Sequence, residues 1–212
     1  MNIELSQENV RLAFGILSGL FQISGYAVYA NMVRKGTIER PNPASWLIWT
    51  FGSTLNFLSF FGMTQGDLAP NILPAACSVS CIIFFAFSLF IGGFEKIKVR
   101  DYLLIAVDIT IVVFWYQFQS ATFANIAFQI STFLSFIPMW RDMKSGEDKE
   151  QPLPWLLWTT AYALEAVVIA VGFDHTAWID SVKEAFYPVV CFICHFATLK
   201  LAKIQQNPTH RP

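Results

Sequence analysis

Residues 12–33 read LAFGILSGLFQISGYAVYANMV, 22 consecutive positions without a charge, bounded by Arg11 and Arg34. At about 1.5 Å of rise per residue such a run makes a helix ~33 Å long. That is enough to cross the ~30 Å hydrocarbon core of a bilayer. The rest of the chain repeats the pattern. Charge-free runs separate Arg40 from Asp67 and Asp67 from Glu95. Between Asp101 and Arg141 the only charge is Asp108, in a stretch too long for one span and sufficient for two. Gln117, Gln119, Ser120 and Thr122 supply a polar turn in its middle. Two more spans follow, from about Pro154 to Phe173 and from about Glu184 to Lys200, interrupted by Glu165 and His195 respectively. The expectation is seven transmembrane helices.

Composition agrees with this reading. Of the 212 residues 55% are hydrophobic, 16% aromatic and 14% charged, where a soluble domain carries about 25% charged residues. A net charge of −1 leaves no electrostatic footprint for nucleic acid. The four cysteines lie within apolar runs, which argues against a secreted disulfide framework. Met1 to Val10 holds two acids and no base, unlike the basic start of a cleavable signal peptide.

Orientation follows from the short loops, where Lys and Arg mark the cytoplasmic side. Arg34, Lys35 and Arg40 fall in one loop, Lys96, Lys98 and Arg100 in another, Arg141, Lys144 and Lys149 in a third, and Lys200, Lys203 and Arg211 in the tail. Arg11 and Lys183 are the two bases left for the other side. The N-terminus is expected outside and the C-terminus inside, in a plasma or inner membrane.

The chain also repeats itself. Phe21-Gln22-Ile23-Ser24 recurs as Phe128-Gln129-Ile130-Ser131, an offset of 107 that also pairs Met32 with Met139 and Arg34 with Arg141. After two further residues, Pro43, Trp46, Leu47, Trp49 and Thr50 align with Pro152, Trp155, Leu156, Trp158 and Thr159. At offset 114, Pro74 and Cys77 align with Pro188 and Cys191. The fold expected is therefore an all-α integral membrane protein of two parallel three-helix repeats. Residues 1–97 form the first, 98–119 a linker helix, 120–205 the second and 206–212 a tail. Because three is odd, the single linker span restores the orientation of the second repeat and makes the two parallel.

This layout resembles the SWEET and PQ-loop transporter superfamily, as does the local pattern Phe136-Ile137-Pro138-Met139, then basic residues, then Pro154-Trp155-Leu156-Leu157-Trp158. The Pro-Gln pair of that superfamily is here Pro138-Met139 in the second repeat and Asn31-Met32 in the first. The resemblance implies facilitated movement of a small solute by alternating access.

Polar groups near mid-span are costly and tend to face the bundle interior. They fall at matching positions: Gln22 and Gln129, Asn56 and Glu165, Cys81 and His195. With Trp49 and Trp158, the deeper members of the paired tryptophans, Gln22, Asn56, Gln129, Glu165 and His195 form the expected binding site for a polar, cationic or aromatic solute. Glu165 is the candidate for proton linkage. Pro138, inside the last turns of its helix, is the candidate hinge. The prolines at 43, 74, 152, 154 and 188 are expected near helix ends. Asp108, on the linker, is expected to pair with the adjoining basic loop.

Other readings carry less. Cys191-Phe192-Ile193-Cys194-His195 spells the c-type haem string, but sits mid-helix in an apolar run. Cys77, Cys81, Cys191 and His195 share helix faces at i, i+4 spacing and are a weak alternative for a soft metal; neither a metal nor a cofactor is expected. The last span has no mid-helix lysine for a retinal Schiff base, and no hydrolase string points to an enzyme. A membrane receptor or sorting protein on the same scaffold is the alternative function, but the outward loops near Thr64–Ala69 and Asp174–Asp180 are short for a recognition surface. An oligomer is compatible with the sequence and not required by it.

Overall fold

A computed structural model describes residues 6–38, 41–91, 99–147 and 149–206, leaving aside the side chains of Ala44, Arg100, Asp101 and Leu104. Of the loop bases that set the expected orientation, Arg40, Lys96, Lys98 and Arg211 lie outside the described residues. The described chain is seven α-helices: α1 (Gln7–Arg34), α2 (Pro43–Met63), α3 (Leu68–Ile91), α4 (Val99–Phe118), α5 (Ala121–Ser145), α6 (Pro152–Val171) and α7 (Trp178–Gln206). Five of them, α1, α3, α5, α6 and α7, are long and apolar enough to cross a membrane. Polar and aromatic residues dilute α2, and in α4 the apolar stretch found among the described residues is Ile105–Phe118.

Local chemistry accounts for the helix ends. The Ser6 hydroxyl accepts from the Asn9 amide at 3.3 Å, and that of Ser120 from Phe123 at 3.2 Å. Each satisfies an amide that the first turn of a helix leaves without a partner. Gln119 turns the chain from α4 into α5 at a φ of 53°. Gly146 ends α5 at a φ of 81°, a left-handed conformation that costs glycine little. Pro152 opens α6, where its missing N–H removes no helical bond.

Not all prolines sit at ends. Pro74 and Pro188, expected near termini, lie inside α3 and α7. Pro138 lies inside α5, as expected. The α3 and α7 helices continue through their prolines because, in hydrocarbon, breaking the backbone ladder would expose several further polar groups.

Packing follows one scheme twice. The α3 helix lies against both α1 and α2, and α7 lies against both α5 and α6. Two seams join the triplets, α1 against α6 and α2 against α5, while α4 lies against α5 and α2. The interior mixes apolar side chains such as Phe60, Leu73 and Val168 with polar ones, Gln22, Asn125, Gln129 and Glu165 among them, whereas Leu20, Ile23, Ile83 and Phe90 are exposed. An apolar outer surface over buried polar groups suits a protein whose outer solvent is lipid.

Candidate functional site

The two seams each hold an interior polar pair, and the pairs are equivalent. On the α1·α6 seam the Ser18 hydroxyl donates to Glu165 Oε2 at 3.2 Å. On the α2·α5 seam the Asn125 amide donates to Asn56 Oδ1 at 2.9 Å. Ser18 and Asn125 stand 107 residues apart, and Asn56 and Glu165 stand 109 apart, the same offsets as in the sequence repeat. One turn further along α5, Gln129 also donates to Asn56 Oδ1, and Asn125 reaches Ser59 at 3.3 Å. Cys191 ties α7 to this group through Gln129 Oε1 at 3.6 Å.

Four buried side-chain oxygens here have no hydrogen-bond partner among the described residues: Gln22 Oε1, Glu165 Oε1, Asn125 Oδ1 and the Tyr187 hydroxyl. A buried polar atom without a partner costs on the order of 1–3 kcal/mol. The first three are acceptors, so what complements them is a group rich in N–H or O–H donors, while the Tyr187 hydroxyl can donate or accept.

Aromatic rings cover one end of this layer, again in equivalent pairs. Tyr29 on α1 meets Trp46 of its own triplet at 5.9 Å and Trp158 of the other at 6.0 Å, centroid to centroid. Phe136 on α5, 107 residues later, meets Trp155 at 6.1 Å and Trp49 at 5.5 Å. Trp158 is buried, and its indole N–H points at the Gln22 carbonyl at 3.3 Å. Gly25 makes this approach possible, since a Cβ there would overlap the Trp158 ring.

Trp49 is 36% exposed, while its repeat counterpart Trp158 is buried. The reason is the company each helix keeps: α6 packs closely along α1 and α7, while α2 packs along α3 and α5 and only lightly along α4. Trp46, expected to be shallower, turns inward against Tyr26 and Phe84.

His195 sits in an aromatic cage. Its ring lies among Tyr162, Trp155, Phe136 and Trp158, at 4.7, 5.4, 5.5 and 6.2 Å, with Nδ1 at 2.7 Å from the Cys191 carbonyl. The structure thus joins Asn56 to Gln129, and Trp158 to both Gln22 and His195, and gives Glu165 to Ser18.

The metal alternative is not supported. Among the described residues no three His, Cys, Asp or Glu side chains converge as a metal would need. Cys77 and Cys81 turn to the Tyr26 hydroxyl at 3.7 and 3.0 Å, Cys191 to Gln129, and His195 to a backbone carbonyl. Asp108 is buried and accepts from Ser131 of α5 at 2.7 Å; Lys96 and Lys98, in the basic loop expected to pair with it, lie outside the described residues, as does the Arg100 side chain.

Ser18, Asn125, Tyr26 and Tyr162 were not among the residues singled out from sequence. Ser18 and Asn125 precede Gln22 and Gln129 by one turn at the repeat's own offset, a signal that was present. The tyrosines carry none, because an aromatic in an apolar run reads as core.

At the opposite end, Arg11 Nη2 bonds Asp67 Oδ2 at 2.6 Å. The two line a cleft of about 560 Å³ that also takes in Glu8 and Gly172. Gly172 gives the guanidinium room, since a Cβ there would fall 2.5 Å from Arg11 Nε. Searches for similar proteins among family models, curated proteins and solved structures found no match.

Proposed function

We propose that this chain is a seven-span membrane transporter in which two parallel three-helix repeats, α1–α3 and α5–α7, rock about their shared seams. The solute is small and donor-rich, a polar or cationic molecule with or without a ring. The observation carrying this reading is the pair of equivalent polar contacts, Ser18 to Glu165 and Asn125 to Asn56, in the interior where the triplets meet. Transporters built from repeats bind near the midplane at the repeat interface, and the unpaired oxygens of Gln22, Glu165 and Asn125 give such a site acceptors to offer.

Each member of the site has a role in this scheme. Gln22, Asn56, Gln129 and Glu165 bind the solute's donors. Trp158 and Trp49 wall the seams, and His195 with its aromatic neighbours supports one end of the layer. Glu165 is the group able to take or release a proton. Pro138, which removes the N–H that would bond the Leu134 carbonyl, lets the end of α5 bend. The Arg11–Asp67 pair latches the outer end. It is weak enough to break within a transport cycle, because partly exposed ion pairs contribute about 0–1 kcal/mol. The tail lies in the cytoplasm, on the side rich in Lys and Arg.

A melting screen of the detergent-solubilised protein against amines, sugars, amino acids and nucleosides tests this reading. A bound solute raises the melting temperature through linkage. The ligand found should lose its effect on Glu165→Gln or Asn56→Leu, and should be carried into proteoliposomes by the unaltered chain. A ligand that shifts all three proteins alike overturns the site, and one that binds without being carried overturns transport.

A further inference from the structure

A groove of about 370 Å³ runs along the outer surface of the bundle between α1 and α3. Ile23, Ala27, Ala30 and Arg34 line it from α1, and Ile83 and Phe87 from α3. On α1 these positions follow helical spacing and share one face. The small side chains of Ala27 and Ala30 leave the channel open, and the larger groups form its walls. Ile23 is 50% exposed and Ile83 64%, so the groove opens outward, where lipid would lie.

Its dimensions and charge select an occupant. From Ile23 to Arg34 is 11 residues, about 16 Å along the helix axis. That is half the ~30 Å hydrocarbon core, one leaflet deep. The far end is the last turn of α1, where Arg34 and Asn31 line the groove and supply donors. An apolar channel one leaflet long that finishes in a guanidinium matches an acyl chain followed by an anionic headgroup.

We propose that this groove is a binding site for one anionic glycerophospholipid, its chain lying against Ala27 and Ala30 and its phosphate paired with Arg34. The site is separate from the seams and stands whether or not the chain carries a solute.

Native mass spectrometry of the full chain tests it. The protein is released from detergent after equilibration with equal amounts of phosphatidylglycerol and phosphatidylcholine bearing identical palmitoyl and oleoyl chains. One retained lipid is expected, with phosphatidylglycerol favoured about five-fold, the effect of one cation on an anionic headgroup. Arg34→Gln should keep a lipid and lose the preference. Ala27→Leu, which fills the channel, should lose both lipids, and Ala30→Leu is the second filling variant should the first fail to fold. Soluble glycerol phosphate should not displace the lipid, because the chain anchors it. Equal retention of the two lipids by the unaltered protein overturns the proposal, as does a preference that survives Arg34→Gln. A dimer that covers this face, seen as doubled mass with no lipid and dissociated by Ala30→Leu, also overturns it.

Discussion

Ser18 and Glu165 lie 147 residues apart and share a 3.2 Å hydrogen bond in the interior of the bundle. It is the one hydrogen bond found for the Glu165 carboxyl among the described residues, whose other oxygen is buried without a partner. The pair bridges α1 and α6, so whatever alters the state of Glu165 acts directly on a seam between the triplets.

Glu165→Gln keeps the shape and one acceptor of the side chain but cannot exchange a proton. If Glu165 couples proton movement to transport, uptake by proteoliposomes should vary between about pH 5 and pH 8 in the unaltered protein and lose that variation in Glu165→Gln. Identical pH profiles in the two proteins would refute the coupling.

Asn56 accepts from both Asn125 and Gln129. Asn56→Leu strands the buried Gln129 amide, at about 1–3 kcal/mol, and leaves Asn125 with Ser59 and the Asn56 backbone carbonyl. Asn56→Asp retains the accepting oxygens. Thermal melts should therefore rank the unaltered protein and Asn56→Asp well above Asn56→Leu. Equal melting of the Leu and Asp variants would show that these bonds do not hold the α2·α5 seam.

Gly25→Ala places a methyl group on the Trp158 ring. Overpacking of this kind costs about 1–3 kcal/mol. The melting temperature should fall, and the Trp158 fluorescence, followed with the other tryptophans replaced, should report a more polar setting. A variant with unchanged stability and emission would mean that α1 and α6 approach less closely than described.

Outside the spans, Asp174 sits in the α6–α7 turn. The Thr176 hydroxyl and amide donate to it at 2.6 and 2.7 Å, and they hold its carboxyl below the ordinary carboxylate range. A depressed value stabilises the fold above the unfolded pKa of about 4, and that stabilisation is lost as pH falls through the lower, folded value. On acidification the unaltered protein should lose a small increment of stability that Asp174→Asn does not. Parallel acid melting curves for the two would contradict this role.

Much of this architecture was legible in the residues. Charge-free runs marked the helices, because a charge inside hydrocarbon is expensive enough to space the others apart. The offset of 107 that pairs Phe21-Gln22-Ile23-Ser24 with its copy also relates Tyr29 to Phe136 and Ser18 to Asn125, which make matching contacts. Less legible was direction. Trp49 and Trp158 occupy equivalent sequence positions, yet one is partly bare and the other enclosed. Asp108 bonds Ser131 of α5, a partner that its place on the linker did not name. Cys191 and His195 share a helix face but turn to different partners.

The sequence by itself determined which segments are helical, how many there are and which polar residues must be shielded. Helical periodicity and the cost of exposing charge to lipid act along one segment at a time. The pairing of Ser18 with Glu165, the cage around His195 and the unequal exposure of Trp49 and Trp158 were decided by tertiary structure. A helix fixes the angles between its own side chains, but its rotation about its axis is set by the neighbours that pack against it.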